Sequence, residues 1–377
     1  MNFRKYFPIS VGNGMLYDLP VPGNLYIWWN FGSLLGLCVV IQLVTGVFLS
    51  MNYVADAESA LLCIEHLMRN VHLGWLLRYI HANGASMLFF CMYIHIGRGM
   101  YYGSYKNVFV WYTGVILYIL AMATAFLGYV LPWGQMSYWG ATVITNFFTA
   151  IPSVGDVISM WMWGGYVVGG PTLTRFFSFH FLVPFVMLVF IMIHLMLLHV
   201  SGSNNPLGVC IEVEKVPFHV YYTVKDLLGF VLFLMIFSFF VFFYPTVFMD
   251  GTNYFPADDM HTPRHIKPEW YFLFAYTILR AIPSKVGGVL ALAFSVFILF
   301  FVPLLHRCHM MSMAMYPVSQ FLFWCFVGNF YVLSQLGTVN TSSPYDLVGM
   351  VCCAIYFLYF IVMPFVGKFW DSMVFWK

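Results

Sequence analysis

Four histidines fall into two pairs of equal spacing: His81 and His95 in one apolar stretch, His180 and His194 in another, each pair 14 residues apart. Imidazole is uncommon inside a bilayer, because its nitrogens need partners there. On an α-helix, 14 residues make nearly four turns, a rise of about 21 Å with a net rotation of about 40°. Each stretch, folded as a helix, therefore shows two imidazoles on one face, one near each membrane surface. One further span, 107–132, separates the two stretches, so both run in the same direction. His81 then lies at the depth of His180, and His95 at the depth of His194. Two bis-imidazole sites stacked across a membrane suit two b-type haems, which are held by axial side chains and an apolar pocket alone. A single intramembrane histidine is more often a hydrogen-bonded packing residue; two equal spacings in parallel spans are harder to dismiss. None of the eight cysteines has CxxC or CxxCH spacing, so neither a zinc site nor a covalently attached haem is signalled.

Glycines repeat the interval. Gly32 and Gly46 are 14 apart in the first span, and Gly114 and Gly128 in the third. Glycine lets a backbone approach a flat macrocycle closely, and small residues also serve helix packing in membranes. The shared period favours clearance for a haem. Arg78 lies three residues before His81 and Arg98 three after His95. Both positions suit haem propionates, for which arginine is the preferred partner, as well as interfacial anchoring.

The elements that must carry these residues follow from composition. Hydrophobic residues make up 62% of the 377 and charged ones only 8%, against about 25% charged in soluble domains. Eight long stretches contain no Asp, Glu, Lys or Arg: 19–55, 79–97, 107–155, 176–211, 227–249, 286–306, 308–345 and 347–367. A helical span needs about 20 apolar residues, and these runs lack the alternation of a barrel strand. The expected fold is all-α, a polytopic membrane protein of eight transmembrane helices, with the haems in a four-helix bundle formed by the first four spans. Residues 1–210 would form that bundle, and 211–377 a four-span region with a long loop at 246–285. The N-terminus, with Arg4, Lys5 and Pro8, lacks the apolar core of a cleaved signal. With eight spans both termini share one side, which collects nine Lys/Arg and five Asp/Glu, against seven and nine on the other. That bias favours termini on the cytoplasmic or matrix side.

Longer motifs then carry a resemblance. WWNFGSLLG at 28–36, RYIHANGAS at 78–86, HIGRGMYYGSY at 95–105, GYVLPWGQMSYWGATVITN at 128–146, TRFFSFHF at 174–181, GSNNPLG at 202–208, HIKPEWYFLFAY at 265–276 and VGGVLALAFS at 286–295 resemble mitochondrial cytochrome b, the membrane core of ubiquinol–cytochrome c oxidoreductase (respiratory complex III). The likeness runs from about Gly12 to Phe365. It implies two haems b, an outer low-potential one on His81 and His180 and an inner high-potential one on His95 and His194. It also implies ubiquinol and ubiquinone as substrates at two sites on opposite sides of the mitochondrial inner membrane. The implied partners are a Rieske-type iron–sulfur protein, a membrane-anchored c-type cytochrome and further complex III subunits in a homodimeric assembly, within a lipid bilayer and with no nucleic acid. Chloroplast and cyanobacterial relatives split this protein and space the second histidine pair one residue wider; this chain does neither.

By the family's pattern the 246–285 connection caps the outer, quinol-oxidising site, with Pro268 and Glu269 in its PEWY motif. Removing two electrons and two protons from a quinol calls for a nearby acceptor carboxylate. Glu269 is assigned that role, with Tyr276 as a polar neighbour; without the motif it reads as a solvated loop residue. Segment 136–152 should pack there as surface helices, with Gly140 leaving space at the quinone's edge. On the inner side His199, Ser203, Lys225 and Asp226 offer donors and an acid for quinone reduction, and loop capping competes for Ser203. Three positions depart from the family: Val200 where a carboxylate is common, no acid in YVVGGP at 166–171, and Arg264 for a proline. Two rival readings are a transporter with a histidine proton relay, for which internal repeats are missing, and a shorter two-haem dehydrogenase anchor.

Overall fold

The structure, a computed structural model, describes residues 9–375; Arg4, Lys5 and Pro8 lie outside the described residues. These fold into thirteen α-helices and two three-residue strands. In chain order they are α1 (Ile9–Leu16), β1 (Pro20–Pro22), α2 (Phe31–Ser50), α3 (Ala60–Asn70), α4 (Gly74–Tyr101), α5 (Val108–Val130), α6 (Gln135–Thr145) and α7 (Gly155–Trp163). Then come α8 (Gly170–Ser201), β2 (Lys215–Pro217), α9 (Phe218–Phe243), α10 (Leu273–Ala281), α11 (Lys285–Leu305), α12 (Pro317–Leu336) and α13 (Tyr345–Val374).

Six helical segments among the described residues are long and apolar enough to cross a membrane: Ile27–Ser50, Val108–Val130, Gly170–Ser201, Phe218–Phe243, Lys285–Leu305 and Tyr345–Val374. Two of the eight expected spans therefore fall outside that set. They correspond to α4, whose 28 residues include Arg78, two histidines, Asn83 and Arg98, and to α12, whose 20 residues include Ser319, Gln320, Asn329, Ser334 and Gln335. The polar groups that lower the apolarity of α4 are the ones with candidate chemistry. The apolar faces of the others point outward: Leu227, Leu228, Met235, Ile236 and Phe243 of α9 are all more than half exposed, as side chains meeting lipid rather than water would be.

α2 packs along α4, and α5 along α8. A core of Phe89, Tyr118, Phe274, Ile278, Phe326, Leu333 and Tyr356 joins these helices to α10, α12 and α13. Two details add to the expected all-helical layout. β1 and β2 pair antiparallel, with Val21 opposite Val216, and tie the start of the chain to the α8–α9 connection. The 246–285 connection is partly regular: α10 is buried through Leu273, Phe274, Ala275, Thr277 and Ile278. Residues 135–163 form the short helices α6 and α7 over a smaller cluster that includes Val130, Trp133, Ala141 and Leu173.

Candidate functional site: two facing imidazole pairs and a carboxyl between cavities

His81 of α4 and His180 of α8 face each other with ring centres 6.2 Å apart and planes crossed at 84°. His95 and His194, from the same two helices, face each other at 6.5 Å and 60°. Each ring lies against a glycine of a neighbouring helix. A Cβ on Gly46 would be 3.1 Å from His81 Cε1, one on Gly32 3.4 Å from His95 Cε1, and one on Gly114 3.3 Å from His194 Cε1; on Gly128 it would overlap the His180 ring. Each of the four periodic glycines thus lies directly against an imidazole. These glycines are ring seats.

Polar partners orient the rings. Nδ1 of His180 lies 2.8 Å from the Thr124 carbonyl, which can only accept, so Nδ1 carries the proton and Nε2 keeps its lone pair. Nδ1 of His81 is 2.8 Å from the Thr45 hydroxyl, which donates its own proton to the Ile41 carbonyl at 2.7 Å. Nδ1 of His194 is 3.0 Å from the Thr113 hydroxyl, itself donating to Phe109 and Val110 carbonyls at 2.9 Å. His95 differs: the group 3.2 Å from its Nδ1 is Nη2 of Arg98.

The donor set fits a group bound axially by two imidazoles. Metal–nitrogen bonds of about 2.0–2.1 Å, plus about 1.1 Å from each nitrogen to its ring centre, put in-line ring centres about 6.3 Å apart. Both observed separations agree. The His81–His180 pair borders a cavity of about 640 Å³ lined also by Gly46, Gly128, Arg78, Phe177 and Pro184, within the range of about 300–1,000 Å³ usual for ligand sites. Near the His95–His194 pair, two buried donors, Arg98 Nε and Trp29 Nε1, have no acceptor among the described residues, and the Arg98 guanidinium lies 5.1 Å from the Trp29 ring centre. Unpaired buried N–H groups beside a cation are suited to a carboxylate such as a propionate. No group of three or more His, Cys, Asp or Glu side chains among the described residues could hold a metal by itself.

Glu269 lines that large cavity and also a second, smaller one of about 30 Å³, lined by Phe126, Tyr129, Gly140, Pro268 and Tyr276. It thus forms part of both walls. Burial pushes its carboxyl up to about 7, helped by the charge of Asp250 and opposed by Lys267, a hydrogen bond from Tyr129 and Arg78. Asp250 accepts from the Thr252 amide at 2.8 Å and pairs with Lys267 at 3.3 Å, which ties together the two ends of the loop that carries Glu269. Trp270 Nε1 donates to Ser86 Oγ at 3.1 Å, and Tyr271 stacks on Phe89 at 4.1 Å, so α4 holds the PEWY motif. Tyr276 donates to the Ile266 carbonyl at 2.9 Å under the Arg280 guanidinium, 4.5 Å from its ring centre. At Gly140 a Cβ would stand in open space, with no heavy atom within 4 Å.

His199, Ser203, Lys225 and Asp226 occupy two places. Asp226 accepts from Ser33 Oγ at 2.8 Å, and Lys225 donates to the Leu25 carbonyl at 2.9 Å, both joining α9 to the start of α2. His199 Nδ1 lies 2.7 Å from the Leu195 carbonyl of its own helix, α8, and half-buried Ser203 sits in the irregular stretch that follows. Sequence reasoning missed Ser33, Arg280 and the three threonines. The threonines had a signal: Thr45 and Thr113 each directly precede one of the periodic glycines.

Fold and site together define a class: a helical membrane protein presenting paired imidazoles at two depths between two parallel helices. Residues 16–202 match the family described as Cytochrome b/b6/petB, and residues 256–357 match Cytochrome b(C-terminal)/b6/petD. A solved chain of a "Hyperthermophilic respiratory Complex III" is 32% identical, with a TM-score of 0.92 over 97% of this chain and 98% of that one. The chain belongs to the cytochrome b/b6 family, and haem b is the cofactor that membership implies.

Proposed function

We propose that this chain is the di-haem, electron-transferring subunit of a quinol–cytochrome c oxidoreductase in the mitochondrial inner membrane, working with a Rieske-type iron–sulfur protein and a c-type cytochrome in a dimeric complex. In this reading α4 and α12 complete eight spans. At about 1.5 Å per residue they reach about 42 and 30 Å, enough for a hydrocarbon core of about 30 Å. Both termini lie on the matrix side, residues 1–210 form the di-haem bundle, and 211–377 wall the quinone sites. The observation that carries the reading is Glu269, which lines both the cavity beside His81 and His180 and the cavity with Gly140, Pro268 and Tyr276.

When bound, a haem b at each imidazole pair supplies one-electron redox chemistry, outer pair first and inner pair second. The chain's own residues handle the rest. His81 with His180, and His95 with His194, would hold the iron, and Arg78 and Arg98 would neutralise propionates. Quinol enters beside Gly140 and Tyr276, and the ionised Glu269 carboxylate takes a hydroxyl proton as the electrons leave, one to the iron–sulfur partner and one inward. On the inner side His199 and Asp226, with Ser203 and Lys225, hydrogen-bond and protonate quinone. Protons leave outside and enter inside. A quinol pulse given to sealed vesicles of the complex, with cytochrome c as acceptor, is expected to acidify the quinol-oxidising side. Cytochrome c reduction with no proton release there would contradict the coupling.

Gly140 provides a narrower test. A methyl group at that position meets no protein atom within 4 Å, so Gly140→Ala should fold normally and intrude only on a ligand. Bulky outer-site inhibitors are expected to lose affinity by about tenfold or more, about 1.4 kcal/mol, while turnover stays near wild type. Inhibition curves identical to wild type would misplace Gly140.

A further inference from the structure

The side of α4 turned away from its two histidines grips the 246–285 connection. With 3.6 residues per turn, Asn83, Ser86, Phe89 and Tyr93 lie about 100–160° round the helix from the mean direction of His81 and His95. Each of them meets that connection or its start. Asn83, almost wholly buried, donates from Nδ2 to the Pro245 carbonyl at 2.9 Å, just past the end of α9. The same amide donates to the Tyr79 carbonyl one turn back at 2.9 Å, and its Oδ1 has no partner among the described residues. Buried Ser86 accepts from Trp270 Nε1 at 3.1 Å. Phe89 stacks on Tyr271 at 4.1 Å, and the Tyr93 hydroxyl donates to the Tyr271 carbonyl. Trp270 and Tyr271 directly follow Glu269 in the chain. Burying an amide or a hydroxyl costs free energy unless it is bonded, so packing alone would favour apolar side chains at positions 83 and 86.

We infer that Asn83 and Ser86 are positioning residues for quinol, which hold the loop bearing Glu269 in place against the helix that also carries His81. The inference rests on the reading of the Glu269 cavities as the quinol-oxidising site. The Asp250–Lys267 pair closes the loop on itself, whereas the bonds from α4 fix it to the bundle, Asn83 at its start and Ser86 beside Glu269. Ser86 stands at the junction: it lines the cavity beside His81 and His180 while its hydroxyl holds Trp270. Neither residue lines the cavity with Gly140 and Tyr276, so both act through the loop. Loosening one bond lowers the fraction of complexes in which the loop is seated. Apparent affinity for a ligand falls by that fraction, while a site that has filled turns over as before.

The test is steady-state oxidation of a short-tailed quinol by the assembled complex over a range of quinol concentrations, with haem b content read on the same preparations. Ser86→Ala is expected to raise KM for quinol about fivefold, the net worth of about one buried hydrogen bond, at nearly unchanged kcat and full haem content. Trp270→Phe removes the donor of the same bond and should raise KM alike. The double variant should be no worse than either single one, because all three lose one interaction. Asn83→Leu should raise KM in the same way, and if it does not assemble, Asn83→Ser, too short to reach Pro245, decides in its place. An unmoved KM in Ser86→Ala or in the deciding Asn83 variant, or additive changes in the double variant, would overturn the inference. So would a rate lost in step with haem content at unchanged KM, the mark of residues that only stabilise the bundle. Absence of quinol oxidation by the unsubstituted complex would instead sink the proposed function and this inference with it.

Discussion

Replacing His180 by leucine is expected to remove one haem b and lower quinol-dependent cytochrome c reduction at least about 100-fold, the upper range seen for lost partners one bond further from a metal. Leucine has no lone pair, and His81 across the 6.2 Å gap cannot supply both axial positions. His81→Leu should have the same effect, because the two rings form one site. The inner pair stands on the same helices nearly four turns away, so its haem should remain bound. The ratio of haem b to polypeptide is then expected to fall from two to one. His199→Leu is the control: its Nδ1 is bonded to the Leu195 carbonyl of its own helix, so both haems should stay. A ratio that holds at two in His180→Leu would remove His180 from the ligand set.

Glu269→Gln carries the second large effect. A general base contributes about 10²–10⁴-fold, so quinol oxidation should fall by at least about 100-fold at pH 8. The carboxyl is raised to about 7 by burial and Asp250, and it accepts a proton only when ionised. Near pH 6 about one side chain in ten is ionised, and near pH 8 about nine in ten. In the unsubstituted complex kcat/KM should therefore rise with pH through about 7 and level off above it. Glutamine sits in the same two cavity walls but cannot titrate, so its profile should lose that rise. A Glu269→Gln enzyme that keeps both rate and rise would assign the proton to another group.

The residues that face each other were legible from spacing alone. Fourteen residues on parallel helices left His81 only one partner at its depth, and the geometry pairs it with His180. The glycines were legible as a period but not as contacts: a missing Cβ does not say whether a ring or a macrocycle fills the space, and that depends on which helix lies alongside. Thr45 and Thr113 were hidden for a similar reason, and Thr124 acts through a backbone carbonyl that any residue would supply. Threonine inside an apolar helix usually bonds back to its own turn, as Thr45 does to Ile41, and the second bond appears only when α4 or α8 is packed against it. Composition overstated the uniformity of the spans. α4 and α12 carry polar groups that a charge-free run does not penalise, yet in α4 these are the candidate ligands and their neighbours. Lys225 and Asp226 were read as facing a substrate, and the structure bonds them to Leu25 and Ser33, links that no local pattern announces.

The central claim is that four histidines make two iron sites, paired as His81 with His180 and His95 with His194. A potentiometric titration of the reduced-minus-oxidised visible spectrum tests it most directly, on the complex and on four variants with each histidine replaced by leucine. Two separate one-electron b-type transitions are expected in the unsubstituted protein. One of them should vanish in both His81→Leu and His180→Leu, and the other in both His95→Leu and His194→Leu. A single transition, or a transition shared between His81 and His194, would contradict the account.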